Sequence, residues 1–346
     1  MAPQNESKDF QTEFRDRIDD YEQTIHALIG FMNFYRYDDQ EKRFRDDVII
    51  FQGWRLEPSS SKKDNLEGDE SKFLTPDLGI LYEKRKGVLA EAKKNFPSNQ
   101  DFWMRTFEQL MSYDDDLTGW PSSDGKIDQN DIVLLLHQTR GVQVKMYYDS
   151  KKEIEIIFRR PFIIVQFNRS DERRNNYFFQ KILGSLSQKE IDETLTVGKS
   201  VPMDIFVTTY SMIKLYDSRP PIPYMIQLIW TNVILPIASE DPKFEKLRKN
   251  QKIEIIINLD KIIGELQEAF TFHSLHAINS GRRPRIPRKQ WVLEACESLV
   301  KFNEAEWIDP HKKAVKIIFR KYDDVLEHFI TCCSEEEKDK QLQLFS

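Results

Sequence analysis

The sequence predicts an α/β protein: a mixed sheet flanked by helices, then a second, mainly helical domain. Three observations carry that expectation. Residues 77–84 and 87–93 are short alternating segments joined by the polar, glycine-ended stretch Glu83-Lys84-Arg85-Lys86-Gly87, the pattern of a β-hairpin. The apolar run Asp131–His137 reads as a buried strand, and residues 162–167 and 177–183 read as two more. Arg219-Pro220-Pro221-Ile222-Pro223 places three prolines within four residues, which breaks regular structure and marks a domain boundary.

Taken in order, residues 9–37 carry Phe10, Phe14, Tyr21, Phe31, Phe34 and Tyr35 and predict one or two aromatic-rich helices. Residues 1–40 are therefore expected to pack as helices on an N-terminal domain spanning 41–218. Phe44, Val48 and Phe51 have the spacing of a buried helical stripe, so a helix is expected over 41–52 with Gly53-Trp54 as its exit. Residues 59–71 are polar and charged and read as a loop. Residues 101–113 predict a helix, whereas 142–148 fit helix and strand equally. In the C-terminal domain, 219–346, Trp291, Ala295 and Leu299 with Val292, Cys296 and Val300 make an amphipathic stripe. Asp309-Pro310-His311 closes that region and Ala314–Phe319 reads as a strand. Helix, turn and strand at this scale predict a winged-helix-like module with an acidic tail.

The chain has 346 residues, 40% hydrophobic and 31% charged, with a formal net charge of −6. That length accommodates two domains, and the composition is that of a globular chain. The acidic balance argues against a general nucleic-acid coat but leaves room for a local basic groove. Three cysteines are too few for a disulfide framework and fit a reducing compartment. The first residues show no charged leader followed by an apolar run, so no signal peptide is expected and the cytoplasm is the expected location. Residues 225–238 are apolar but interrupted by Gln227, Thr231, Asn232 and Pro236, so no membrane span is expected. No phosphate-loop, dinucleotide or nucleophile-elbow motif appears.

The chemistry concentrates on the hairpin. Thr75-Pro76-Asp77 is followed by Glu91-Ala92-Lys93. Side chains alternate along a strand, so Leu78, Ile80 and Tyr82 share one face, as do Val88, Ala90 and Ala92. Asp77, Glu91 and Lys93 fall on the other. A turn centred near Arg85 sets Asp77 opposite Lys93 and diagonal to Glu91, and a one-residue slip would send Asp77 to the wrong face. Two carboxylates and an ammonium at one hairpin end suit Mg²⁺ or Mn²⁺, hard cations that take one or two carboxylates plus water and phosphate. Asp77 and Glu91 supply the carboxylates, the Ala92 carbonyl is a candidate third ligand, and Lys93 can orient the attacking water or neutralise developing charge.

This pattern resembles the PD-(D/E)XK nuclease superfamily, the restriction-endonuclease-like fold. Gln109 and Tyr113, four apart and so on one helical face, resemble the Gln-x-x-x-Tyr motif of its RecB-like branch. The resemblance covers roughly residues 41–184. It implies a restriction-endonuclease-like mixed sheet, DNA as substrate and phosphodiester hydrolysis as reaction, with Asp77, Glu91, Lys93, Gln109 and Tyr113 as active-site residues. It also implies a metal-site acid or histidine on the preceding helix. Glu41 is the residue selected for that position, and His26, in an earlier helix, is the nearest histidine.

Gly281–Lys289 holds five basic residues in nine, Arg282, Arg283, Arg285, Arg288 and Lys289, a candidate phosphate-binding segment ahead of a helix. Winged helices also dock proteins, so a second copy or another protein is an expected partner of the C-terminal domain beside DNA. The competing readings are a DNA-binding or assembly platform that cuts nothing, and a nuclease subunit that needs a partner ATPase. Defence against phage, repair and mobile-element processing are the settings the superfamily's usual company implies.

Overall fold

The computed structural model describes residues 9–38, 41, 43–45, 47–59, 73–94, 97–122, 125–170, 176–203, 213–247, 251–270 and 286–345. Two compact units emerge. One comprises the described residues of 22–217 together with Ile286, and the other those of 9–21, 218–270 and 287–345. The single helix α1 (Phe10–Arg36) thus contributes to both, whereas the sequence assigned residues 1–40 to the N-terminal domain.

The first unit is built on a seven-stranded mixed sheet. Its strands are β1 (Ile49–Phe51), β2 (Leu78–Tyr82), β3 (Lys86–Lys93), β4 (Gln129–His137), β5 (Phe162–Arg169), β6 (Asn176–Gly184) and β7 (Lys199–Pro202). The order is β7-β6-β5-β4-β3-β2-β1. The central pairs β3/β4 and β4/β5 are parallel and the flanking pairs antiparallel. β4 is apolar through Ile132–Leu136 because both its faces are covered. On one face the second half of α1 packs through Tyr35 against Tyr82 and Phe34 against Phe179. On the other lie α2 (Gln100–Ser112) and α3 (Gln138–Lys151), whose Trp103, Phe107 and Tyr147 pack with Leu89, Leu134 and Phe162. Residues 142–148, open between two readings in sequence, are helical. α4 (Lys189–Val197) completes the unit.

Among the described residues of 41–52 the expected helix is absent. Arg43–Phe44 pairs with Tyr37–Asp38 as a two-residue ladder, and Ile49–Phe51 forms the edge strand β1 against β2. The apolar spacing fitted a helix, but Val48-Ile49-Ile50 is β-branched, and such residues favour the pleated surface that β2 offers. Gly53, at φ +60°, turns the chain out of the strand. Phe51 lies over Gly79, where any Cβ would collide with its ring.

The second unit holds a three-stranded antiparallel sheet, β8 (Ile253–Asn258), β9 (Ala305–Trp307) and β10 (Ala314–Phe319), in the order β8-β10-β9. Its helices are α5 (Ile222–Ile229), continued by a π-helical turn (Trp230–Ile234) and α6 (Leu235–Ser239), then α7 (Leu259–Phe270), α8 (Lys289–Lys301) and α9 (Val325–Phe345). The sequence identified only β10 of these strands. Residues Ile222–Ser239 have the length and apolarity of a membrane span, yet 56% of the segment is buried in the protein. Trp230 explains the apolarity: it stacks on Phe319 at 5.5 Å and meets Phe329 edge-on at 5.4 Å, so this is a core helix. All three cysteines are free.

Candidate active site

The β2–β3 hairpin is paired two residues away from the expected register. Leu78 faces Ala90 and Tyr82 faces Lys86, which brings Asp77 level with Glu91 rather than Lys93. The turn residues Glu83 and Lys84 both have positive φ, 47° and 64°, and the chain reverses through them. Gly87 is a strand residue, not the turn glycine, and its lack of a side chain admits the Trp120 ring. A two-residue shift preserves the face on which every side chain lies, so Asp77, Glu91 and Lys93 still converge.

Asp77 sits at the bend before β2 and is 2% exposed; Glu91 in β3 is 1% exposed. The Ala92 N–H donates to Asp77 Oδ2 at 3.0 Å. Lys93 Nζ donates to Glu91 Oε2 at 3.2 Å, and the Tyr113 phenol donates to Glu91 Oε1 at 2.5 Å. Gln109 Nε2 in turn donates to Tyr113 Oη at 3.4 Å. The fourfold spacing of Gln109 and Tyr113 thus becomes a relay from the exposed face of α2 to a buried carboxylate. Local sequence sets the helix: Asn99 caps its start by accepting the Asp101 N–H at 2.8 Å, and Tyr113 is its C-terminal cap residue.

The electrostatics follow from burial. Desolvation, then the neighbouring Glu91 charge, hold Asp77 far above the ordinary carboxylate range, with Lys93 and the Ala92 N–H pulling the other way. Burial lowers the Lys93 ammonium, but the charges of Glu91 and Asp77 outweigh it and leave the group above the ordinary lysine value. Desolvation and Glu91 likewise keep the Tyr113 phenol protonated. The Lys93 ammonium offsets part of the cost of burying two carboxylates side by side. Their all-oxygen donor set fits a hard divalent cation carrying its own water.

Glu41 does not join them. It is exposed in the turn between the two short ladder strands and pairs with Arg43. The described residues of 41–52 are not helical, so the expected helix does not carry Glu41 toward the hairpin end. His26 fails for a different reason: its ring meets Tyr177 edge-on on the α1 side of β6, three strands from β3. Among the described residues no group of three His, Cys, Asp or Glu is arranged to hold a metal. A cation here would rest on Asp77 and Glu91, with backbone, water and phosphate oxygens completing its shell.

Of the basic segment, Arg282, Arg283 and Arg285 lie outside the described residues. Arg288 is the exposed N-cap of α8, its guanidinium 5.5 Å from the Trp291 ring centroid, and Lys289 reaches Asp260 at 3.4 Å. Farther along α8, Glu294 pairs with Arg219 and Glu297 with Lys312.

Four residues around Tyr113 were not singled out from sequence. Asp114 accepts the backbone N–H groups of Arg159 and Arg160 at 2.9 and 2.7 Å, and Asn130 reaches the Tyr113 carbonyl. Asp114-Asp115-Asp116 reads in sequence only as local excess charge. Its partners stand more than forty positions away, and no local pattern links them.

No family model, curated protein or solved structure matches the chain.

Proposed function

We propose that this protein is a metal-dependent deoxyribonuclease that hydrolyses phosphodiester bonds. The observation that carries the reading is the convergence of Asp77, Glu91 and Lys93 at one hairpin end, with Tyr113 donating to Glu91. The arrangement around it supports a restriction-endonuclease-like fold. A helix precedes three antiparallel strands, then a second helix and a strand parallel to the third, with one acid at the entry to the second strand and the other on the third.

Asp77 and Glu91 would hold Mg²⁺ or Mn²⁺. Such a cation, when bound, supplies a water of lowered pKa and polarises the phosphate. The remaining work belongs to the chain. The Lys93 ammonium lies beside the carboxylates, where it can orient the nucleophile and neutralise charge developing on the phosphoryl oxygens. The Tyr113 phenol holds one Glu91 oxygen, leaving the other toward Lys93. The Ala92 N–H fixes Asp77, and Gln109 brings an amide from the exposed helix face to the same network.

Among the described residues of 218–346 the order helix, strand, helix, helix, strand, strand, followed by α9, supports a winged-helix-like module. In such modules the helix before the wing often reads DNA. Here that helix is α8, and apart from its basic start its partly exposed positions include Glu294 and Glu297. Carboxylates there disfavour a phosphate-lined groove and favour a docking role for this unit toward protein, with Arg288 and Lys289 as its contribution to DNA.

The test is degradation of linear, circular and single-stranded DNA with Mg²⁺, Mn²⁺ or chelator. Cleavage that needs the cation and disappears in Asp77→Ala and Lys93→Ala is expected. Full activity in both folded variants would refute the assignment.

A further inference from the structure

The last carbonyls of a helix lack intrahelical partners and must find them elsewhere. At the end of α2 the carbonyl of the cap residue Tyr113, and that of Asp114 just past it, find theirs on Asn130, Arg159 and Arg160. Asn130 Nδ2 donates to the Tyr113 carbonyl at 3.2 Å, and Arg160 Nη1 donates to Asn130 Oδ1 at 2.7 Å. The Asp114 carbonyl accepts from Arg160 Nε at 3.1 Å and from Arg159 Nη2 at 2.7 Å. The Asp114 carboxylate is satisfied by the Arg159 and Arg160 backbone N–H groups and by Arg159 Nε. Arg160 Nη2 also reaches Asp116 at 2.6 Å. Asn130 is 1% exposed, Asp114 6% and the Arg160 side chain 18%.

Both ends of this network are tied to the sheet that carries Glu91. Asn130 lies in β4 level with Gly87 of β3, and the Pro161 carbonyl beside Arg160 accepts the Ile132 N–H at 2.9 Å. Tyr113 is therefore held twice. Its carbonyl is bound to the sheet through Asn130, and its phenol, at the other end of the residue, is bound to Glu91.

We propose that Asn130, Asp114 and Arg160 form a positioning clamp that sets the Tyr113 phenol on Glu91, and that they act on the reaction only through Tyr113. The catalytic half of this role rests on the reading of Asp77 and Glu91 as the cation-binding pair. A plain helix cap would stabilise α2 and leave the site's geometry indifferent to it. A clamp makes the phenol's position depend on side chains that touch neither substrate nor cation. Loss of a group bonded to a metal ligand, as Tyr113 is to Glu91, typically changes metal affinity or activity by about 10- to 100-fold, and that figure bounds what the clamp can contribute.

The experiment is a double-mutant cycle. Asn130→Ala and Arg160→Lys, the latter keeping the charge but losing the planar fork, are made in the wild-type protein and in Tyr113→Phe. kcat and KM on linear DNA are measured in saturating Mn²⁺, and thermal unfolding confirms that each variant is folded. In the wild-type background each substitution is expected to lower kcat, by no more than the roughly 10- to 100-fold loss of Tyr113→Phe, with KM little changed. In Tyr113→Phe the same substitution should lower it no further, because the group through which it acts is gone. Multiplicative losses in the double variants would overturn the clamp. A crystal structure of Asn130→Ala gives the independent arm. A phenol displaced from Glu91 supports the proposal, and a phenol still at hydrogen-bond distance refutes it. A wild-type protein inert in every metal would sink the nuclease reading alone, since the crystallographic arm still decides the clamp.

Discussion

The Ala92 amide and the Asp77 carboxylate are joined at 3.0 Å across the end of the β2–β3 hairpin. That bond extends the ladder one step past its last strand pair, Leu78 with Ala90, using a side chain in place of a backbone carbonyl. Asp77 is thereby both a structural cap of the hairpin and one of the two candidate cation ligands. Its removal should be read with folding monitored in parallel, and Asp77→Asn, which keeps an acceptor oxygen, is the gentler probe.

The raised proton affinity of Asp77 makes stability depend on pH. The folded protein binds this proton more tightly than the unfolded chain does. The associated stability is fully present below the ordinary carboxylate range, about pH 4, and is lost as pH rises through the elevated folded value. Denaturation midpoints in chelator should therefore fall with increasing pH, and Asp77→Asn should flatten that slope. Mg²⁺ or Mn²⁺ should restore stability at the upper end and release protons on binding, read as a buffer-dependent heat in titration calorimetry.

Tyr113→Phe removes the hydroxyl that donates to Glu91 and accepts from Gln109, and keeps the ring. A loss of about 10- to 100-fold in activity or Mn²⁺ affinity is expected, with the unfolding midpoint moving far less than in Phe107→Ala, which empties the core below α2. Gln109→Ala, acting one bond farther out at the exposed end of the relay, should cost less than Tyr113→Phe.

Gly79→Ala puts a methyl group where the Phe51 ring lies, on the face that also bears Asp77. Overpacking of this kind costs about 1–3 kcal/mol. Gly87→Ala should cost a similar amount through Trp120. Chemical denaturation measures both. The first is expected to impair cleavage as well, because β1 and Phe51 back the strand that presents Asp77.

Arg288→Ala and Lys289→Ala should weaken binding of all DNA sequences alike. Each lost phosphate contact should reduce the slope of log affinity against log salt by about 0.9 for duplex. If neither the affinity nor the slope changes, the basic start of α8 is not a DNA contact.

Much of the site was legible in sequence because its signals are short-range. Glu91 and Lys93 are two apart on a strand, Gln109 and Tyr113 four apart on a helix, and periodicity alone puts each pair on a common face. β4, β5 and β6 were likewise visible as apolar runs of strand length. The failures came where a pattern admitted two structures. Phe44, Val48 and Phe51 suit a helix by spacing and a strand by branching, and Glu41 was carried along with the wrong choice. Val142–Tyr148 was open for the same reason. In the second unit Ile253–Asn258 does alternate between buried and exposed, but its partner strand β10 lies about sixty residues downstream.

Residue order alone was enough to specify which side chains share a face, since that depends on repeats of two and 3.6 residues. Pairing across the hairpin, the burial that raises Asp77, the exclusion of Glu41 and His26, and the Arg160–Asn130 hold on Tyr113 emerged only once the chain was folded. Each depends on groups far apart along the chain meeting in a low-dielectric interior. There desolvation and proximity outweigh any local preference, and no window of neighbouring residues contains that information.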